Sequence, residues 1–252
     1  MPRLTPEGIF EHENLGAGVT VVLILGSGPN VLAAQNWPRT LFDRIVAINN
    51  AWQVREDWDD LIFPDDFPEG RWPAKLATGQ RIVRAADYVP LQNRFGGFVY
   101  AGGTMAFTAS YWALAALRPK VIAVMGCDMV YDSTGETHFY GQGTADPLRD
   151  DVTLRSLEAK SARLMALAAR EGCAMVNLSD GPSRLVFPRA TSDALAAVKP
   201  APWDATLMQA ALQREDQMGY YVPSGKYWKQ EARFDVDLID ELDRLWLRVV
   251  AP

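Results

Sequence analysis

The apolar residues of this chain gather into short continuous runs and do not alternate with polar ones. VTVVLIL, RIVAI, VIAVM and CAMVN are rich in aliphatic, largely β-branched side chains, and each gives way to glycine, asparagine or serine within a residue or two. Such runs read as strands buried on both faces of a sheet. The first is closed by GSGPN at 26–30. The second, within DRIVAINNAW, ends in Asn49 and Asn50, and a third, DDLIFPDD, ends in Asp65 and Asp66. FVYAGG reads as a further strand with a Gly-Gly turn, 120–125 as another, and CAMVNLS as the last.

Helical patterns lie between these runs. VLAAQNW suits a short helix cut off by Pro38, and a longer helix starts at Thr104. The segment 153–171 carries Leu154, Leu157, Ala162, Leu164, Met165 and Leu167 on one face, and Gly172 suits a left-handed cap. Between 67 and 97, three prolines and scattered arginines predict an irregular excursion with a strand at ADYVPL. Beyond about residue 190 the pattern changes to two helices joined by an aromatic loop, the last one placing Leu238, Leu242, Leu245 and Val249 on one side. The expectation is an α/β fold: a Rossmann-like, doubly wound, mainly parallel sheet with a helical C-terminal extension. It divides into a polar leader (1–18), a nucleotide-binding domain (19–190) and the extension (191–252).

Composition narrows the choice of partners. Of 252 residues 48% are apolar, which rules out a disordered chain, and a net charge of −6 gives no general attraction to nucleic acid or anionic membrane. No run approaches the ~20 apolar residues that span a bilayer, so a soluble, cytoplasmic protein is expected. Cys127 and Cys173 lie in or beside apolar runs and read as core residues of a reducing compartment.

In a parallel sheet, ligands sit outside the carboxyl ends of the strands, and the polar residues of this chain collect there. Gly26, Ser27 and Gly28 let a phosphate approach the backbone at a helix start, or simply make a tight turn; the third glycine of a dinucleotide fingerprint is absent. Asn49 and Asn50 suit a base edge or a ribose, and equally tie down turns. Gly102, Gly103 and Thr104 repeat the small-residue logic at a second helix start, where Thr104 is also a natural N-cap. Asp128, Tyr131, His138 and Tyr140 share one polar loop, GCDMVYDSTGETHFYG. A histidine there suits general acid–base work and tyrosines suit hydrogen bonds to a departing phosphate; as a lone loop histidine His138 is also consistent with a surface role. The other histidine, His12, sits in the polar leader and reads as structural. No Cys/His/Asp spacing makes a metal cage, and no Gly-x-Ser-x-Gly elbow points to a hydrolase. Tyr220, Tyr221, Tyr227 and Trp228, with Lys226 and Lys229, read first as a packing cluster, alternatively as a stacking platform.

The order VVLILGSGPN, IVAINNAW, GGTMAFTASYWALAALRPKVIAVMGCDMVY, THFYG and CAMVNLSDGPSRL resembles the bacterial sialyltransferase family that uses CMP-sialic acid. It is similar also to the wider group of motility-accessory glycosylation factors and the archaeal hydroxymethylpterin diphosphokinase. The resemblance covers residues 19–188. It implies that Gly26, Ser27 and Gly28 face the nucleotide phosphates, that Asn49 is the strand-end asparagine, and that Gly102, Gly103 and Thr104 lie near base or sugar. Gly126 and Asp128 match the family's glycine-x-aspartate, and Tyr131 and Tyr140 the tyrosines that assist phosphate departure. The chain departs at Gln142, where the sialyltransferases have a general-base histidine, and at Ser27, where they have an asparagine; His138 is the candidate base.

The function so implied is transfer of a sugar from a nucleotide-activated, CMP-type donor to an acceptor hydroxyl. Its partners are small molecules, with self-association expected through the C-terminal helices, and it needs no cofactor beyond the nucleotide-sugar co-substrate and no metal. The alternatives are a Mg²⁺-dependent diphosphokinase acting on a pterin-like alcohol, with Asp65, Asp66 or Asp128 as ligands, and a non-catalytic nucleotide-binding or assembly module.

Overall fold

The computed structural model of the chain describes residues 20–130, 137–141 and 149–250. Its centre is a six-stranded sheet in the order β4-β3-β2-β1-β5-β6, parallel throughout. The strands are β1 (Val21–Leu25), β2 (Arg44–Ile48), β3 (Asp60–Ile62), β4 (Arg81–Val83), β5 (Val121–Met125) and β6 (Ala174–Asn177). Every residue of β1 and β5 is buried, which is why their sequences carry no polar alternation.

The two faces are covered differently. Val22 and Ile24 of β1 lie on the face covered by α3 (Met105–Leu117), flanked by α1 (Ala85–Asn93) and α4 (Leu157–Arg170), while α5 (Ala205–Met218) and α6 (Val236–Val249) pack outside on α4. Val21, Leu23 and Leu25 meet short 3-10 segments, chiefly Pro29–Asn36, Asn49–Gln53 and Leu195–Ala197. On that side VLAAQNW winds as a 3-10 helix, Pro29–Asn36, with Pro29 in its first turn and Pro38 just beyond its end.

Helix α3 is capped as expected, with Thr104 Oγ1 accepting the N–H of Phe107 at 3.2 Å. Ten of its thirteen residues are buried, because it lies on the sheet with α1 on one side and α4 on the other, an arrangement that suits an all-round apolar sequence. Ser156 caps α4, and Gly172 follows that helix in the left-handed region, at φ 76°.

Two expectations are corrected. ADYVPL is not a strand but the body of α1, started by Asp87, which accepts the N–H of Arg84 at 2.8 Å; the strand is the preceding triplet, β4. FVYAGG is not a strand either: Phe98–Ala101 forms the short helix α2 between Gly97 and Gly102, both at positive φ. Those two glycines bracket a stretch too short to reach the sheet, and the three-residue β4 ends that side of it.

At the amino end of the sheet, Asp60 is fully buried between Arg44 (2.8 Å) and Arg81 (2.5 Å), tying β2, β3 and β4 together. The C-terminal helices are held by two buried ion pairs on α4. Arg163 grips both oxygens of Glu215, at 2.7 and 2.8 Å, and donates to Tyr111 Oη at 2.7 Å, while Trp246 Nε1 donates to the same carboxylate at 2.8 Å. Lys160 meets Asp243 at 2.7 Å. On α6 the buried face is Ile239, Leu242, Trp246 and Val249, with Leu238 and Leu245 on its flanks.

Glu215→Gln leaves the Arg163 guanidinium buried without its counter-charge and is expected to cost about 3–5 kcal/mol in urea unfolding. Glu158→Gln, which breaks a 2.8 Å pair with Arg184 exposed on both sides (39% and 37%), is expected to cost under about 1 kcal/mol.

Candidate functional site

Because all six strands run the same way, their carboxyl ends form one rim. The strand order steps away from β1 on one side through β2, β3 and β4, and on the other through β5 and β6. The junction of β1 and β5 is therefore the switch point at which open α/β sheets take ligands.

Glycine makes that junction close. Gly26 N–H bonds Met125 O and Gly28 N–H bonds Gly126 O, each at 2.8 Å. A Cβ on Gly26 would stand 2.3 Å from Gly126 O, so no larger residue fits. The backbone donors expected to cradle a phosphate at Gly26 and Gly28 thus already serve β5. What the turn presents to a ligand is reduced to Ser27 and Asn30.

Just beyond the junction lies a polar clamp centred on Asp128. Asn30 Nδ2 donates to Asp128 Oδ2 and to Ser179 Oγ, both at 2.7 Å. Asn177 Nδ2 donates to Asp128 Oδ1 at 2.8 Å and to Ser183 Oγ at 3.1 Å, while Asn177 Oδ1 accepts the N–H of Ser179 at 3.0 Å. Arg189 stands 3.7 Å from Asp128, donates to the carbonyls of Ser179 and Gly181, and keeps 43% of its side chain exposed. One carboxylate so unites the ends of β1, β5 and β6 beneath an exposed guanidinium. The polar stretch 179–183 was expected at this rim, whereas Asn177 and Arg189 were not singled out in the sequence; the signal was the lone asparagine ending an otherwise apolar strand.

The turn 137–141 sits against this junction. Phe139 N–H donates to Ser27 O at 3.0 Å, and His138 and Gly141 exchange backbone hydrogen bonds at 3.0 Å. The His138 ring is nearly buried, with Nδ1 2.8 Å from Thr137 Oγ1 and its centroid 5.0 Å from that of Tyr140. Tyr140 is exposed. Tyr131, Gln142 and His12 lie outside the described residues. Cys127 is buried beside Asp128, and burial pushes its thiol well up, which makes it inert.

At the end of β2, Asn49 adopts φ 52°, and its Oδ1 is buried with no hydrogen-bond partner among the described residues. Asn50 is buried. Gly102, Gly103 and Thr104 are instead covered by the protein itself. Gly103 N–H donates to Thr153 Oγ1 and Gly103 O accepts from Arg149 Nη2, each at 3.0 Å. Tyr227 Oη donates to Asp151 at 2.7 Å and accepts from Arg149 at 3.0 Å; a Cβ on Gly103 would lie 2.3 Å from it. Tyr227 of the C-terminal extension thus covers this turn. The packing reading of the aromatic cluster fits Tyr220 and Tyr227, which are buried, while Tyr221 and Trp228 remain exposed.

Both oxygens of Asp128 accept amide hydrogens, Asp65 faces Arg84 at 3.6 Å, and among the described residues no group of three or more His, Cys, Asp or Glu side chains could hold a metal. No helix among them is long and apolar enough to cross a membrane.

The site thus belongs to a Rossmann-like α/β protein with a clamped switch point. No protein-family model matches the chain, and neither a curated protein nor a solved structure matches it.

The Tyr227–Asp151 clasp has a pH signature. Burial pushes the Asp151 carboxyl up, but hydrogen bonds from Thr153, Tyr227 and Arg149 outweigh it and hold the group below its ordinary 3.8. Burial raises the Tyr227 hydroxyl to about 12, so it stays a donor. With the folded value below the unfolded one, the stabilisation is complete above about pH 4 and is lost as pH falls through the folded value. The melting temperature of Tyr227→Phe is expected to trail the wild type by a constant margin from pH 5 to 8. That margin is expected to narrow in scans below about pH 4.

Proposed function

We propose that this protein is a cytoplasmic glycosyltransferase-like enzyme that binds a nucleotide-activated sugar at the junction of β1 and β5. It transfers the sugar to an acceptor hydroxyl. The observation that carries the reading is the hydrogen bond from Phe139 N–H to Ser27 O. It fastens the turn bearing His138 to the first strand end, beside the Asp128 clamp.

In this scheme His138 removes the acceptor proton as the acceptor oxygen bonds to the anomeric carbon. The bond from that carbon to the phosphate oxygen breaks, and its electron pair leaves with the nucleotide. Charge develops on the departing phosphate, where donors act selectively on the transition state. Arg189 and the Ser27 hydroxyl take the role first expected of the Gly26 and Gly28 N–H groups, and Tyr140 adds a hydroxyl. Asp128 acts by position: it holds Asn30, Asn177 and, through them, Ser179 and Ser183 in the orientation a ribose or sugar hydroxyl meets. The unpartnered Asn49 Oδ1 is an acceptor for a ligand N–H or O–H on the neighbouring strand end. The resemblance to CMP-sialic-acid enzymes makes a CMP-linked donor the first to try. Self-association through α5 and α6 belongs to the same proposal.

The test is thermal stabilisation by CMP, CDP, UDP, GDP and ATP, each with and without Mg²⁺, since ligand binding to the folded state raises the melting temperature. A metal-independent shift with a nucleoside mono- or diphosphate is expected, reduced in Arg189→Gln and kept in His138→Ala. His138→Ala is expected to lower the transfer rate about 10²–10⁴-fold. A shift seen only with ATP and Mg²⁺ would replace sugar transfer by diphosphate transfer, and no shift with any nucleotide would favour an assembly module.

A further inference from the structure

A second concave site lies far from the rim. Helix α4 begins at Ser156 beside the carboxyl ends and runs back along the sheet, so at ~1.5 Å per residue its last turn lies roughly 20 Å away, toward the amino ends. Near that end, α4, α5 and the turn joining α1 to α2 enclose a cavity of about 440 Å³. Its base includes the buried pair Arg163–Glu215, which is internally satisfied. Phe95, Leu167 and Leu212 line it, with the half-exposed ring of Tyr221 at its edge.

Two features mark the cavity as a place for a ligand. Gly96 lets the wall close on the base: its φ is 91°, and a Cβ there would stand 3.2 Å from Arg163 Nη2 and 3.3 Å from Glu215 Oε2. The exposed charged residues that line the mouth are two arginines and one acid. Arg94 and Arg170 are both exposed there, against the single rim acid Asp216. Arg94 has no ion-pair partner among the described residues, and Arg170 meets only the exposed Glu171 beside it, at 3.5 Å. In a chain of net charge −6, the Arg94 guanidinium, with Arg170 shared with Glu171 beside it, is a local cationic feature over an aromatic-lined cavity. Guanidinium forks match carboxylate and phosphate oxygens, and aromatic rings accept a flat apolar body.

We propose that this cavity binds a small planar anion: an aromatic or heterocyclic ring carrying one carboxylate or phosphate. The ring lies against Tyr221 and Phe95, and the anionic group reaches Arg94 and Arg170. The site is independent of the nucleotide reading of the rim, since its lining on α4 begins only at Arg163, halfway along that helix. Its floor belongs to the same Arg163–Glu215 pair that docks the C-terminal helices, so occupancy would also be felt as added stability of the extension.

The probes are 4-fluorobenzoate and its uncharged analogue 4-fluorobenzamide, followed by fluorine NMR line width on the full chain. Broadening is expected with the carboxylate and not with the amide. Arg94→Gln/Arg170→Gln, changes at exposed positions that leave the core intact, is expected to weaken binding about tenfold or more. Asp216→Asn is expected to tighten it about two- to fivefold. Asp128→Asn, at the rim, is expected to leave it unchanged. Equal broadening by both probes, none by either, or loss of binding in the rim variant with the arginine pair intact would overturn the proposal. A phosphate preference is read by repeating the titration with 4-fluorophenyl phosphate.

Discussion

The close approach of β1 and β5 is the constraint on which the rest of this architecture depends. Two strands that are far apart in sequence pair across the centre of the sheet, from Val21 with Val121 to Leu25 with Met125. Their ends remain together only because Gly26 and Gly126 carry no side chain at the crossing. Everything on the rim is arranged about that pinch. The turn 137–141 hangs from Ser27, Asp128 follows the pinch directly, and the ends of β1 and β6 are drawn in through Asn30 and Asn177. Such a buried polar network is costly when half satisfied and rigid when complete. Here the carboxylate has an amide donor on each oxygen, so the rim is set before any ligand arrives.

The same economy explains the C-terminal extension. Helix α4 is a crossover helix that would expose one face if the chain ended after β6. It carries Lys160 and Arg163 on that face, and α5 and α6 answer with Glu215 and Asp243. Burial raises the Asp243 carboxyl against the opposing pull of Lys160, and its second oxygen has no hydrogen-bond partner among the described residues. The extension then returns to the rim, where Tyr227 closes over Gly103 and joins Arg149 and Asp151. The extension thereby packs against the rim at Gly103.

Much of this was legible in the sequence because buried parallel strands write themselves as unbroken aliphatic runs. The positions of β1, β2, β3, β5 and β6, the cap at Thr104 and the left-handed Gly172 followed from local chemistry alone. Two short elements did not. In β4, three residues carry no pattern, and in α1 an internal Pro90 masks a helix that Asp87 starts. FVY reads as a strand by composition, yet glycines at both ends fold it into one helical turn. At the site, Gly26, Gly28 and Gly103 were recognised as close-approach positions, but what approaches them is protein: the β5 carbonyls and the Tyr227 hydroxyl. Sequence shows that a glycine is needed and is silent on the neighbour. Asn177 and Arg189 escaped notice for the same reason, since their partner Asp128 lies 49 and 61 residues away in the chain.

The most direct test of the switch-point account is backbone hydrogen exchange with CMP, UDP and GDP added in turn. Binding at the junction of β1 and β5 predicts slowed exchange at Ser27 and Asn30 and in the segment 179–189. The region around Arg94 and Gly96 should not change. Protection confined to that second cavity, or no protection at the rim with any nucleotide, would contradict it.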